Sequence, residues 1–307
     1  MIYTKFCVSF AVHTRPHTLR FPVQHQAYAK INLGLRVLER RPDGYHNIET
    51  VFHRVGLSDD LTFEASDRIE VVSSDPAAPG GPTNLCFRAA AMLQELTGSP
   101  KGVRINLVKR IPVGAGLGGG SSDAALVLRE LPRFWEKALD QPRILASALR
   151  LGSDIPYFLG DGSALAWGRG EILEYFTLDL PYAILLCTPD IHVSTAWAYR
   201  QVVPRPADDR PGLKAMLTEG VLRGDILREQ LTNDFEPAVF SAYPAIASIK
   251  KRLLELGAAV ALMSGSGSTV YGLFLDPSAA SRAGDTFRAQ GCRVSLTPPH
   301  FHPGDPR

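Results

Sequence analysis

Cysteine is scarce and scattered. Only Cys7, Cys86, Cys187 and Cys292 occur among 307 residues, and no two of them form a Cys-x-x-Cys pair. A zinc ribbon is excluded, a disulfide framework is not expected, and the pattern fits a reducing cytoplasm. No apolar run approaches the roughly 18 residues that a membrane span needs, so a membrane is not an expected partner. Neither sign of charge is in excess: 33 Lys and Arg stand against 31 Asp and Glu, a formal net charge of +2. That balance provides no polyanion-binding face and argues against nucleic acid as a partner. Acidic residues are missing before Glu39, whereas Lys5, Arg15 and Arg20 are present. The apolar piece Phe6–Val12 resembles a short signal core without a small-residue cleavage site. Residues 1–26 therefore read either as a transit-like segment or, more plainly, as a weakly ordered extension or a start placed too far upstream.

What is present in quantity is glycine, in one place. Pro112-Val113-Gly114-Ala115-Gly116-Leu117-Gly118-Gly119-Gly120-Ser121-Ser122-Asp123 packs five glycines into seven residues. Without Cβ atoms the backbone can bend sharply and approach a ligand closely. A helix start just beyond such a loop offers unpaired N–H groups and a positive dipole end, which together suit a phosphate.

Around this loop, residues 27–38 alternate as a strand, with Ala29, Ile31, Leu33, Leu35 and Val37 on one face and Tyr28, Lys30 and Asn32 on the other. Pro42-Asp43-Gly44 marks a turn, with a returning strand over Tyr45–Phe52 and further short strands over 57–73. Helices are predicted over 85–96, 122–131 with Asp123 in the first turn, 142–151 and most of 234–256. Strands are predicted over 103–108, 180–188, 258–263 and 270–275. The last two flank a second small-residue loop, Ser264-Gly265-Ser266-Gly267-Ser268-Thr269. The proline-rich stretch 203–212 reads as a connector near a domain junction, and the chain after Thr297 as loose. Strands and helices interleave without a regular β-α-β rhythm, so an α+β fold with largely antiparallel sheets is expected. With 45% hydrophobic residues, the length suits one large or two modest domains.

Three readings of the glycine loop compete. A P-loop needs Lys-Ser/Thr after its last glycine, and Ser121-Ser122 stand there instead. Gly114-x-Gly116-x-x-Gly119 matches a dinucleotide fingerprint, but no convincing strand leads to an acidic residue about 20 positions on. In the third reading the whole run resembles the second motif of the GHMP small-molecule kinases. Four more motifs agree in order: Ala29-Lys30-Ile31-Asn32-Leu33, Asp43-Gly44-Tyr45-His46, Leu151-Gly152-Ser153-Asp154-Ile155-Pro156-Tyr157-Phe158 and Met263–Thr269. The resemblance runs from about residue 25 to about 297.

The resemblance implies a two-lobed fold, with an N-terminal ATP-binding domain over 27–165, a C-terminal domain over 166–300 and a tail over 301–307. It implies ATP as phosphoryl donor with Mg2+ accompanying it, and no metal site built by the protein alone. Nearest is the branch whose acceptor is a small alcohol carrying a cytidine diphosphate group. Branches acting on mevalonate or homoserine are the alternative, followed by a non-catalytic nucleotide-binding module. A monomer or a homodimer is compatible with the sequence.

By the same resemblance, Asp154 is the catalytic base and Lys30 its electrophilic partner. On the residues alone, Asp154 reads first as a turn cap, and Lys30 also fits a lysine reaching for water. The loop from Pro112 to Gly120, with Ser121 and Ser122, would hold the ATP phosphates, with Asn84 and Lys109 near the adenine. Asn32, Tyr45, His46, Gly265, Ser266 and Gly267 would face the acceptor. Trp197 and Tyr199 are aromatic candidates for its base pocket, although core packing is the commoner fate of such rings. Pro132 and Arg133–Asp140 depart from the family pattern and leave the length of the preceding helix open.

Overall fold

The computed structural model describes residues 23–206, 211–220 and 224–304. The expectations for residues 1–22 lie outside the described residues. The first half of the chain forms β1 (His25–Arg40), β2 (His46–Ser66), β3 (Ile69–Ser73), α1 (Leu85–Thr97), β4 (Gly102–Val108), α2 (Gly119–Phe134) and α3 (Gln141–Leu151). A short 3-10 turn at Pro156–Leu159 leads to β5 (Ser163–Gly168) and β6 (Ile172–Phe176). The remainder holds β7 (Ala183–Thr188), α4 (Thr195–Gln201), α5 (Leu213–Gly220), α6 (Gly224–Gln230), α7 (Glu236–Ala242) and α8 (Pro244–Glu255). It ends with β8 (Val260–Met263), β9 (Val270–Phe274), α9 (Pro277–Ala289) and β10 (Arg293–Thr297).

Two sheets organise these elements, and the class is α+β as expected. One sheet runs β3-β4-β2-β5-β6, with β1 also paired to β2, and the other runs β10-β7-β9-β8. Among the named strands of the described residues, only β3 and β4 pair in parallel. The sheet division falls between Phe176 and Ala183. The expected division at 165/166 passes through β5, which pairs with β2 and β6 of the first sheet.

β1 explains how the lobes meet. Its apolar face sends Ala29, Ile31 and Leu33 into a cluster shared with Ile184, Leu186, Leu262 and Leu273 of the second sheet. Bulges between Asn32 and Leu35 and between Val37 and Glu39 break the simple alternation. Leu35 and Val37 consequently pack in a different cluster, with Phe235 and Met263. The opposite face is buried too, so Lys30 and Asn32 lie inside the molecule. A strand buried on both sides cannot let Lys30 reach solvent.

Several boundaries differ from the sequence reading. β2 is one strand of 21 residues rather than a short strand followed by others. α2 begins at Gly119, three residues early, and continues through Pro132 to Phe134. Asp123 is therefore in the second turn and serves a different purpose, described below. Beyond Thr297, His300 and Phe301 are docked: His300 N–H donates to Leu180 O at 2.8 Å, and the Phe301 ring lies 5.7 Å from that of Tyr28.

Candidate active site

β4 ends at the glycine loop, and the loop ends in α2. Gly114, Gly116 and Gly118 adopt φ of 67°, 80° and 70°. At Gly116 the need for glycine is also steric, since an added Cβ would fall 2.0 Å from Ser264 O. At Gly118 it would meet Phe158 at 3.0 Å and the Lys30 stem at 3.2 Å. Gly118 is the N-cap of α2 and makes no side-chain cap. The first amides of a 16-residue helix thus open onto a cavity of about 430 Å³, lined by both lobes. Such a helix start favours an anion.

Lys30 enters this cavity from β1. Its Nζ donates to Asn32 Oδ1 at 2.8 Å and to Gly116 O at 3.2 Å, and stands 3.6 Å from Asp154 Oδ2. Burial pushes the Lys30 ammonium below the usual lysine range, and Asp154 opposes that only in part. The Asp154 side chain is 35% exposed against 5% for Lys30. A carboxylate thus faces the cavity with a buried ammonium behind it. Asn32 is held in turn by Thr50, whose Oγ1 accepts from Nδ2 at 2.9 Å.

The second lobe closes the other side. Ser264 Oγ donates to Gly116 O at 2.9 Å, and Thr269 N–H donates to Ala115 O at 3.3 Å. Gly265 and Ser266 line the cavity, and Ser266 Oγ is 2.9 Å from Thr195 Oγ1. Further along, His46 and Tyr199 stack with centroids 5.2 Å apart and planes 23° apart. Phe235 meets Tyr199 edge-on at 4.8 Å. Arg169, from the β5–β6 turn, lies 4.9 Å over the Tyr45 ring and also lines the cavity. Partial burial, with Arg40 nearby, lowers the His46 imidazole from its ordinary value.

A glycine loop at a helix start, a buried lysine beside an aspartate and the rings of Tyr199 and Phe235 line one cavity. The family model for the GHMP kinases N terminal domain matches residues 84–162, and that for GHMP kinases C terminal matches residues 217–291. The chain belongs to the GHMP kinases. The 4-diphosphocytidyl-2-C-methyl-D-erythritol kinase of Chlorobium phaeobacteroides (strain BS1) is 48% identical over 278 residues, covering 90% of this chain and 97% of that one. The enzyme of that name from Salinibacter ruber (strain DSM 13855 / M31) is 42% identical, over 90% of this chain and 99% of that one. Among solved structures, a crystal structure of 4-(cytidine 5'-diphospho)-2C-methyl-D-erythritol kinase aligns with TM-score 0.77 and 39% identity, covering 90% of this chain and 98% of the other. The homoserine kinase from Cytophaga hutchinsonii ATCC 33406 aligns with TM-score 0.73 at 18% identity, covering 94% and 98%, and shows the shared fold.

In this GHMP kinase the expected site residues divide into three groups. Lys30, Asn32, Asp154, Tyr199, Gly265, Ser266, Asn84, Lys109 and the loop from Pro112 through Ser121 line the one cavity. His46 borders it through Tyr199, and Tyr45 through Arg169. Three residues fall elsewhere. Ser122 points back at β1, its Oγ donating to Tyr28 O at 2.7 Å, because one residue further along a helix turns a side chain by about 100°. Trp197 packs edge-on against Tyr243 at 5.6 Å, away from Tyr199 two positions later on the same short helix. Gly267 turns toward Met263 and Val193.

Asn84 and Lys109 line the cavity but are already committed. Asn84 caps α1, accepting from Cys86 N–H at 2.8 Å and donating to Pro79 O at 2.6 Å. Lys109 is clasped between Asp59 and Asp123, with 2.9 Å to Asp123 Oδ2. Asp59 Oδ1 also accepts from Arg110 N–H at 2.6 Å and Ile111 N–H at 2.8 Å, pinning the chain just before the glycine loop.

Arg169, Thr195 and Phe235 were not singled out from the sequence. For Arg169 a signal existed: Gly168-Arg169-Gly170 is a tight turn whose two glycines take positive φ, presenting the side chain between them. Arg54 was also missed. On β2, directly opposite Lys30, it donates to Phe158 O at 3.0 Å and to Gly160 O, bracing the segment that follows Asp154.

Proposed function

We propose that this chain transfers the γ-phosphoryl group of ATP to the 2-hydroxyl of 4-diphosphocytidyl-2-C-methyl-D-erythritol, in the non-mevalonate route to isoprenoid precursors. The observation that carries the reaction type is the placement of Lys30 Nζ 3.6 Å from Asp154 Oδ2 beside a glycine loop at the start of a long helix. Support for the acceptor comes from curated relatives named for it, 42–48% identical along nine-tenths of the chain. The His46–Tyr199 stack adds a flat aromatic surface suited to a nucleobase.

Phosphoryl transfer is chiefly positioning and charge stabilisation. The amides of Gly118–Ser121 receive the phosphates. Asp154 accepts the proton of the acceptor hydroxyl as its oxygen attacks the γ-phosphorus and the bond to the β–γ bridging oxygen breaks, releasing ADP. Lys30 keeps that carboxylate ionised while offering positive charge to the reacting oxygens. Arg169 stands where it can meet the acceptor's diphosphate.

Mg2+ enters with the nucleotide in this reading. Among the described residues no group of three or more His, Cys, Asp or Glu side chains is arranged to hold a metal. Ser121 and Asp154 are oxygen donors on the cavity wall, which fits an ion that keeps several waters and takes few protein ligands. The ion would neutralise charge between the β- and γ-phosphates. The reading places the enzyme in the cytoplasm, on the evidence of its scattered cysteines. Among the described residues, no helix is long and apolar enough to cross a membrane.

ADP release with the cytidylyl acceptor, mevalonate and homoserine side by side tests the reading. Turnover with the first alone is expected. Turnover only with mevalonate or homoserine overturns the acceptor, and none with any of the three favours a nucleotide-binding module.

A further inference from the structure

The segment Asn233-Asp234-Phe235-Glu236 sits at the entrance to α7, where β1 and the second loop come together. Asn233 is almost fully buried. Its Nδ2 donates to Met263 O at 2.7 Å and to Gly265 O at 2.8 Å, the carbonyls on either side of Ser264. Its Oδ1 accepts from Phe235 N–H at 3.0 Å. Glu236 grips the same stretch, its Oε1 accepting from Met263 N–H at 2.9 Å while Oε2 accepts from Lys250 Nζ at 2.6 Å. Both hydrogens of one carboxamide are thus spent on holding a single residue between two fixed carbonyls.

That residue is connected to the chemistry. Ser264 Oγ donates to Gly116 O, and Gly116 O is also the backbone acceptor for Lys30 Nζ. Gly116 and Ser264 are in such close contact that no side chain fits between them. A shift of Ser264 therefore has to move Gly116 or break the hydrogen bond. Either change disturbs the seat of a buried ammonium.

We propose that Asn233 is a positioning residue for phosphoryl transfer, acting through Ser264 and Gly116 O to fix the place of Lys30 Nζ. This rests on Lys30 and Asp154 being the reacting pair. Asn233 does not line the cavity, so its loss is expected to act on turnover more than on binding. Displacing a reacting group by about 1 Å can cost on the order of 100-fold in rate.

The test compares the full-length wild-type chain with Asn233→Ser, Ser264→Ala and the double variant, using ATP and the cytidylyl acceptor. Asn233→Ser is expected to lower kcat by roughly 30- to 100-fold with both KM values within about threefold. Ser264→Ala is expected to lower kcat by about tenfold, and the double variant to be no slower than Asn233→Ser, because both substitutions interrupt one path. The alkaline limb of the kcat–pH profile of Ser264→Ala moves to lower pH, since the ammonium form of Lys30 loses a fixed acceptor. That shift is the readout should Asn233→Ser not fold. Wild-type kcat in the single variants, strictly multiplicative losses in the double, or an unmoved limb in Ser264→Ala overturns the positioning role. A wild-type chain that releases no ADP with this acceptor overturns the reaction instead.

Discussion

Two lysines reach the same cavity and are treated in opposite ways. Lys109 lies between two carboxylates, Asp59 and Asp123, which are themselves almost wholly buried. Their combined attraction overcomes burial and raises its ammonium above the ordinary lysine value. Lys30 is equally buried but has one carboxylate, farther away and partly open to the cavity, and its ammonium is lowered. The first cluster is closed on itself. In the second, the lysine's charge is incompletely neutralised and the aspartate keeps a free side. A lysine neutralised by two carboxylates can hold a loop in place, whereas one paired with a single, partly open carboxylate has positive charge left to offer a substrate. Even the closed cluster is not relaxed. One lysine cannot serve two carboxylates fully, Asp123 Oδ1 has no hydrogen-bond partner among the described residues, and burial raises the Asp123 carboxyl well above its normal range.

Substitutions that disable each lysine should separate turnover from stability. The largest effect is expected for Lys30→Met: kcat for ADP release falls by about 10²–10⁴-fold, the range for a positioned acid–base partner, with the melting temperature within a few degrees of wild type. Lys109→Met should do the reverse. It leaves two buried carboxylates without a counter-charge, so chemical denaturation is expected to show a loss of about 3–5 kcal/mol, the cost of breaking a buried pair from one side. The chains that remain folded should keep kcat within about tenfold.

A pH profile sharpens the contrast. In the proposed mechanism Lys30 acts in its charged form, and its value is depressed, so kcat is expected to decline as pH rises through that lowered value, below the ordinary lysine value of about 10.4. Residual activity in Lys30→Arg should lose this alkaline limb, because the guanidinium stays charged. For Lys109 the sign is opposite. Its contribution to stability is complete below the ordinary lysine value and disappears only as pH rises through the raised one. The smallest effects concern the aromatic wall. Tyr199→Leu is expected to raise the acceptor KM by roughly tenfold, within the range for one lost stacking partner. Trp197→Phe, packed on Tyr243 instead, should leave that KM within about twofold.

The same contrast explains what was legible in the sequence. The glycine loop, the Lys30 strand and the Asp154 segment are local patterns, and each could be read from a few adjacent residues. Lys109 stands just past a strand, and the resemblance alone put it near the adenine. Its fate depended on Asp59, 50 positions away in the chain and on another strand. Asp123 read as a helix-dipole residue because the helix start was placed at Ser122, whereas glycines with the right φ let α2 begin at Gly119. Ser121 and Ser122 could not be told apart before that start was known, since one position decides which faces the cavity. The β5–β6 hairpin, α9 and β10 escaped the strand and helix readings. They are short or half-exposed: β5 and β10 are fixed by pairing with the distant β2 and β7, and α9 by packing on the second sheet, rather than by a strong pattern of their own.

The most direct measurement is kcat for ADP release by folded Asp154→Asn at saturating ATP and 4-diphosphocytidyl-2-C-methyl-D-erythritol. Asparagine keeps the shape of the side chain and removes its ability to take a proton. The account predicts a fall of about 10²–10⁴-fold with an unchanged melting temperature. A folded Asp154→Asn chain turning over within about threefold of wild type would contradict it.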